Sequence, residues 1–270
     1  MTVAALQMTS GPDVAENLRV AGDLLTRAAA AGARVAVLPE NFAFIGMADT
    51  DKRRVAEVDG AGPIQERLSQ LAATLRLWIV AGTIPISGAA EGRVSAACLV
   101  FNAAGERVAR YDKIHLFDVE IPERDERYRE SANIAPGQLA VVVDTPVGRL
   151  GLAVCYDVRF PELFRRLSAD GAQWLVLPSA FTVPTGEAHW EPLLRARAIE
   201  NLAFMVAPGQ SGRHPNGRET YGHSMIIDHW GKVLQCLPSG VGLVTASLDL
   251  EAQRRARASF PALTHRRLPL

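Results

Sequence analysis

Residues 140–162 read AVVVDTPVGRLGLAVCYDVRFPE. Two apolar extended runs meet at Pro146-Val147-Gly148, the grammar of a hairpin. The second run stops at Cys155, and Tyr156, Asp157, Arg159 and Glu162 follow at once. That sudden polarity suits the mouth of a pocket better than a core. The same grammar recurs on either side. ACLVFNAAGERVARYDK (97–113) turns at Ala103-Ala104-Gly105, and HSMIIDHWGKVLQCL (223–237) turns at His229-Trp230-Gly231.

Between these hairpins lie helix and strand units. Val3 to Met8 reads as a buried strand. Asp13 and Glu16 form a capping pair for a helix whose Leu18, Ala21, Leu24, Leu25 and Ala28 share a face. RVAVLPE (34–40) is a second strand. A helix over Ile64 to Leu75 leads into LWIVAGTI as another. A helix from Pro161 to Ala169, the strand WLVLPSA, a helix over Trp190 to Asn201 and the strand FMVAPG complete the series. Hairpins mixed with helix–strand units imply an α/β protein with two mixed sheets covered by helices. No Pro- or Ser-rich linker divides the chain, so one domain over 1–270 is expected, and the irregular hairpin spacing excludes a solenoid.

Composition narrows the function. The chain has 270 residues, 48% hydrophobic and 21% charged, with 29 basic against 29 acidic side chains. Nucleic-acid binders draw affinity from a basic excess, which this chain lacks, so no nucleic acid is expected. No apolar run approaches the roughly 20 residues that cross a bilayer, and MTVAALQMTSGPD has no basic signal-peptide start, so no membrane is expected and a cytoplasmic location is. Cys98, Cys155 and Cys236 are an odd set in a long chain, which argues against a disulfide framework and for a reducing compartment.

Functional groups of α/β proteins collect where strands end. RVAVLPE ends at Glu40, the hairpin strand RVARYD is followed by Lys113, and RLGLAV runs into Cys155. Apolar Phe42, Phe44 and Ile45 follow Glu40, and desolvation there makes a carboxylate a better base. A carboxylate can take the thiol proton, and an ammonium can stabilise an oxyanion. The helix at Pro161 is expected to favour a Cys155 thiolate. Cys98 and Cys236 sit inside apolar strands and read as packing.

At these residues the chain resembles the carbon–nitrogen hydrolase (nitrilase) superfamily. The glutamate, lysine and cysteine of that family match Glu40 in LPENFAF, Lys113 in YDKIHLFD and Cys155 in GLAVCYDVRFPE. The resemblance assigns a supporting glutamate to Glu130 in RYRES and an oxyanion-stabilising backbone N–H to Tyr156. It continues through LPSAFTVPTGEAHWEPLLRARAIEN, YGHSMIIDHWG and THRR, so it covers nearly the whole chain. HLFDVEIP, CYDVRFPEL, GRH at Gly212 to His214 and YGHSM resemble the Nit branch, closest to the deaminated glutathione amidases. One departure is the charged run ERDERYRES over Glu123 to Ser131.

The resemblance implies a four-layer α-β-β-α sandwich, a homodimer packed through the helices around Arg165 and His189 to Arg197, and a small-molecule amide substrate. It implies neither cofactor nor metal, and no zincin, Walker or GxGxxG motif appears. The substrate acyl group would be an α-keto dicarboxylate. Arg159 is the first choice to hold its carboxylate, and Phe181 and Thr182 would line the acyl pocket. Arg213 and His214 would reach the peptide part of a larger substrate or lie in a solvated loop. The expected reaction is hydrolysis of deaminated glutathione through a cysteine thioester. The alternatives are ω-amidase action on α-ketoglutaramate, a non-catalytic interaction protein, and a thiol redox protein, the last disfavoured by the absence of CxxC.

Overall fold

Alternate residues of each N-terminal strand face different cores, and this divides the molecule into layers. Val3, Ala5, Val35, Val37 and Val80 point into a core shared with Leu150, Leu152, Trp174, Val176 and Val206. Their neighbours Ala4, Leu6, Ala36, Leu38 and Ile79 point the other way, onto Ala21, Leu24, Leu25, Leu68 and Leu71. The period of two that defines a strand thus gives one sheet a partner sheet on one face and helices on the other.

The computed structural model describes residues 1–89, 92–121 and 126–268. The first part of the chain forms β1 (Thr2–Gln7), α1 (Val14–Ala30), β2 (Val35–Val37), α2 (Pro63–Leu75), β3 (Trp78–Val80), β4 (Ile84–Ile86), β5 (Val94–Phe101), β6 (Arg107–Asp112), β7 (Asp118–Ile121), β8 (Glu126–Arg129) and β9 (Ile134–Ala135). There follow β10 (Val141–Thr145), β11 (Gly148–Leu152), α3 (Pro161–Ala169), β12 (Trp174–Val176), α4 (Val183–Asn201), β13 (Phe204–Ala207), β14 (Ser211–Arg213) and β15 (Glu219–Tyr221). The chain closes with β16 (Ser224–Ile227), β17 (Val233–Leu237), β18 (Gly242–Ser247) and α5 (Leu250–Ser259).

One sheet runs β18-β1-β2-β3-β5-β4, with β6 and β9 also on β5; the other runs β10-β11-β12-β13-β16-β17. In both, the inner strands β1, β2, β3 and β11, β12, β13 are parallel, and antiparallel strands flank them. Helices α1 and α2 cover the first sheet and α3 and α4 the second, which is the expected α-β-β-α sandwich. All three expected hairpins form, as β5–β6, β10–β11 and β16–β17.

The differences from the sequence reading have local causes. LWIVAGTI is two strands, because the chain turns at Gly82 with φ +47. Helix α4 starts at Val183, before the expected Trp190. Pro184 is tolerated near its start, where no helical N–H bond is lost. Gly186 lies inside the helix because a Cβ there would sit 2.3 Å from the Tyr221 ring. Strand β18, pairing with β1, and helix α5 were unread. Asp13 caps α1 by accepting the Glu16 N–H, but the Glu16 carboxylate pairs with Arg19 instead of returning to the cap. The charged run's Glu123, Arg124 and Asp125 lie outside the described residues. Among the described residues no helix is long and apolar enough to cross a membrane.

Gly82 holds the crossover from β3 against the segment leading out of β2. A Cβ at this position would lie 1.9 Å from the Pro39 carbonyl oxygen. Gly82→Ala is therefore expected to lower unfolding free energy by about 2 kcal/mol or more, combining left-handed strain with displacement of Pro39. Denaturant titration checks this, and an unchanged midpoint would contradict it.

Candidate active site

The ends of β2, β6, β8, β11 and β12 bring five residues together. Glu40 lies just beyond β2, Lys113 directly after β6, Cys155 beyond β11 and Ala180 beyond β12, while Glu130 follows β8. Lys113 Nζ donates to Glu40 Oε1 at 2.8 Å and to Glu130 at 2.8 Å (Oε2) and 3.0 Å (Oε1). The lysine is 1% exposed. Burial alone would push its ammonium down, but the Glu130 and Glu40 carboxylates reverse this and hold it well above the usual lysine range. Burial likewise acts to raise Glu130, but Lys113 and then Lys52 outweigh it and keep that carboxyl below its usual value.

Each carboxylate is also held by backbone. Glu40 Oε2 accepts the Ala180 N–H at 2.9 Å, which joins the two sheets through the site. Glu130 Oε2 accepts the Phe117 N–H at 2.7 Å, which fixes the segment leaving Lys113. Both acids are thereby oriented by groups that cannot rotate away.

Cys155 stands at φ +48, the left-handed region where a non-glycine residue is strained. Val154 before it is extended, and the short turn Cys155–Arg159 follows. Its N–H donates to the Pro178 carbonyl at 3.0 Å. Asp157 locks the turn. Its buried carboxylate accepts from the Val154 N–H at 2.8 Å, the Tyr111 hydroxyl at 2.6 Å and the His115 N–H at 3.1 Å. Those bonds tie the nucleophile turn to the segment carrying Lys113.

Burial and then the Glu40 charge push the Cys155 thiol far above the usual thiol range; Lys113 and the Ala180 N–H pull it back only in part. Burial here therefore favours the protonated thiol over the thiolate. This corrects the expectation of a helix-stabilised thiolate. Helix α3 begins only after the turn, and burial dominates. A histidine base is not part of the arrangement either. His115 Nδ1 lies 2.7 Å from Asp157 and its ring stacks on Phe160, while His189 Nδ1 lies 3.3 Å from Arg159.

These groups line one cavity of about 640 Å³ including its open mouth. Glu40, Lys113, Glu130, Cys155 and Tyr156 all line it, and so do Phe181 and Thr182. Arg159 does not. Its guanidinium lies 5.6 Å from the Phe181 ring centre and 5.9 Å from that of Tyr156, so it packs beside the aromatic wall instead of forming it. Arg213 and His214 are also outside the wall. Arg213 is exposed, and buried His214 bonds Ser10 O and Thr220 Oγ1, each at 2.8 Å.

Lys52, Tyr128, Thr185 and Arg218 line the cavity and were not expected from the sequence. Thr185 is one helical turn from Thr182, with their hydroxyl oxygens 2.7 Å apart, so recognising the true start of α4 would have found it. Asn216-Gly217 is a hairpin-turn signal that would have placed Arg218 at the head of a strand. Arg165, Arg195 and Arg197, near the expected dimer faces, are engaged internally. They reach the Glu200, Gly231 and Val158 carbonyl oxygens. Among the described residues no group of His, Cys, Asp and Glu could hold a metal ion.

Comparison with known proteins identifies the family. The carbon–nitrogen hydrolase family model matches residues 2–258. A deaminated glutathione amidase of Yersinia enterocolitica is 42% identical over 98% of this chain and 92% of its own. The crystal structure of the C. elegans NitFhit protein superposes with a TM-score of 0.92 at 39% identity, over 98% of this chain and 65% of that longer one. Saccharomyces cerevisiae Nit3, described as a member of branch 10 of the nitrilase superfamily, superposes with a TM-score of 0.89 at 30% identity, over 99% of this chain and 97% of its own.

The charges around Lys113 make stability depend on pH. Glu130 has a depressed value in the fold, so its contribution is complete above the ordinary glutamate value of about 4.3 and disappears as pH falls through the lower folded value. Lys113 has a raised value, so its contribution is complete below about 10.4 and disappears as pH rises through the higher folded value. Urea unfolding between about pH 7 and 3 is expected to show a steeper acid loss for the native protein than for Glu130→Gln. Parallel profiles would contradict the pairing.

Proposed function

The chain belongs to the carbon–nitrogen hydrolase family and is a hydrolase of carbon–nitrogen bonds, an amidase of small amides. On that premise we propose that its substrate is deaminated glutathione, cleaved to α-ketoglutarate and cysteinylglycine. The single observation carrying the chemistry is the buried Lys113 held by Glu40 and Glu130 in the cavity that Cys155 lines. Support for the substrate comes from relatives named deaminated glutathione amidase at 42% and 41% identity.

Glu40 accepts the Cys155 proton as the sulfur attacks the amide carbonyl carbon. Because burial keeps the resting thiol protonated, the base must stand inside the pocket, and the Glu40 charge acts on that sulfur. The carbonyl oxygen, gaining negative charge, is stabilised by the Lys113 ammonium and the Tyr156 N–H. Glu130 keeps that ammonium charged and aimed. As the carbon–nitrogen bond breaks, Glu40 returns its proton to the leaving amine and a thioester remains on Cys155. Glu40 then takes a proton from water, whose oxygen attacks the thioester. The acid leaves, and the proton passes back to sulfur to restore the thiol. Acid and base roles alternate on one carboxylate.

Phe181, Thr182 and Tyr156 form the wall against the acyl chain, and Arg159 supports the two aromatic rings within it. A homodimer through the outer faces of α3 and α4 belongs to the same proposal, and sedimentation would read it.

Cys155→Ala is expected to abolish amide turnover, and Glu40→Gln to lower kcat by about 10²–10⁴-fold at near-native stability. Lys113→Met is expected to cost about 3–5 kcal/mol of stability as well, since two carboxylates lose their buried partner. Steady-state rates on deaminated glutathione and α-ketoglutaramate, from one preparation, separate the two substrate readings. A clear preference for the small amide would replace deaminated glutathione by the ω-amidase reaction.

A further inference from the structure

Arg218 enters the cavity from the turn between β14 and β15, and nothing in the reaction above uses it. Its loop is pinned on several sides. The His214 N–H bonds the Arg218 carbonyl at 2.8 Å, Asn216 Nδ2 reaches the Gly46 carbonyl at 2.8 Å, and buried His214 bonds Ser10 and Thr220. The guanidinium itself is aimed. Nη2 donates to the Ala180 carbonyl at 2.6 Å, and the group lies 5.5 Å from the Tyr128 ring centre. Nε is buried with no hydrogen-bond partner. Among the described residues no carboxylate forms an ion pair with Arg218, whereas Glu40 and Glu130, two of the three acids lining the cavity, are bound to Lys113. Nε itself is sealed off, but the half-buried Arg218 lines the cavity with no carboxylate paired to it, and a carboxylate is the acceptor that a guanidinium's geometry fits best.

Ala180 indicates which end of the substrate that carboxylate belongs to. Its N–H holds Glu40 Oε2 and its carbonyl holds Arg218, so one residue carries both side chains on the same wall. Glu40 is the group that protonates the departing amine. We propose that Arg218 recognises a carboxylate on the amine half of the substrate, the half that leaves. This rests on the amidase reading above and deepens it. The favoured substrates are amides of an anionic amine such as a short peptide with a free C-terminus. An amide of ammonia makes no use of this arginine.

The test compares kcat/KM for three substrates sharing the α-ketoglutaryl group. Their leaving groups are cysteinylglycine, cysteinylglycine with its carboxylate amidated, and ammonia. In the native enzyme, amidating the carboxylate is expected to lower kcat/KM roughly 10- to 100-fold. In Arg218→Met the free and amidated peptides are expected to become equivalent, and the ratio of deaminated glutathione to α-ketoglutaramate should fall by the same factor. The native-enzyme comparison needs no variant, so it stands even if Arg218→Met folds poorly. An equal fall for all three substrates in Arg218→Met, or indifference of the native enzyme to amidation, would overturn the assignment. If native enzyme cleaves none of the three, the amidase substrate proposal fails instead. Calorimetric binding of deaminated glutathione to Cys155→Ala, with and without Arg218→Met, then still reads the arginine. A 10- to 100-fold weaker Kd supports its role, and an equal Kd removes it.

Discussion

A buried ammonium needs compensation from every side, and the Lys113 ammonium obtains it from two carboxylates. An ion of that size taken out of water costs several kcal/mol even after relaxation, so its partners must be placed by the fold before the site can exist. Glu40 comes from the first sheet and Glu130 from the β7–β8 pair, and each has an oxygen fixed by a backbone N–H. Lys113 sits at the end of β6, its own N–H on Ala96 O and its carbonyl on the Gly137 N–H, so the side chain starts from a fixed point. The architecture is a means of bringing those three origins within hydrogen-bond reach.

Sulfur is brought to the same place from the other sheet. The strain at Cys155 is held by the Pro178 carbonyl and by the Asp157 bonds to Val154, Tyr111 and His115. Asp157 thus sets the distance between the lysine segment and the nucleophile turn without lining the cavity. The electrostatic outcome is a neutral thiol beside a carboxylate that is already paired. In the mechanism we propose, the thiolate forms only as the sulfur attacks the substrate carbonyl, with the Lys113 charge placed for the oxyanion.

Much of this was legible in the chain because Glu40 and Cys155 end apolar runs and Lys113 follows a hairpin strand, whereas Glu130, after the polar ERYR, came only from the family resemblance. The period-two patterns of RVAVLPE and RLGLAVCYD identify strands, and the change to polarity marks where they end. The layered fold follows from those strands and the three hairpins. What escaped was set by tertiary contacts. Gly186 inside α4 makes room for Tyr221, and Gly82 splits one apolar run into two strands by its left-handed turn. Arg159 had the right chemistry and the right neighbourhood, yet its guanidinium packs against the aromatic wall. Arg218 lies far from Cys155 in sequence and reaches the cavity only because β14 and β15 fold back over it. Local pattern has no access to that placement.

The central claim is that Cys155 is acylated during turnover. Rapid acid quench of the native enzyme during turnover of deaminated glutathione, followed by peptide mass spectrometry, tests it most directly. An α-ketoglutaryl thioester on Cys155 is expected, with hydroxylamine diverting product from acid to hydroxamate. Full turnover with Cys155 unmodified at every quench time and no hydroxamate formed would contradict the thioester route.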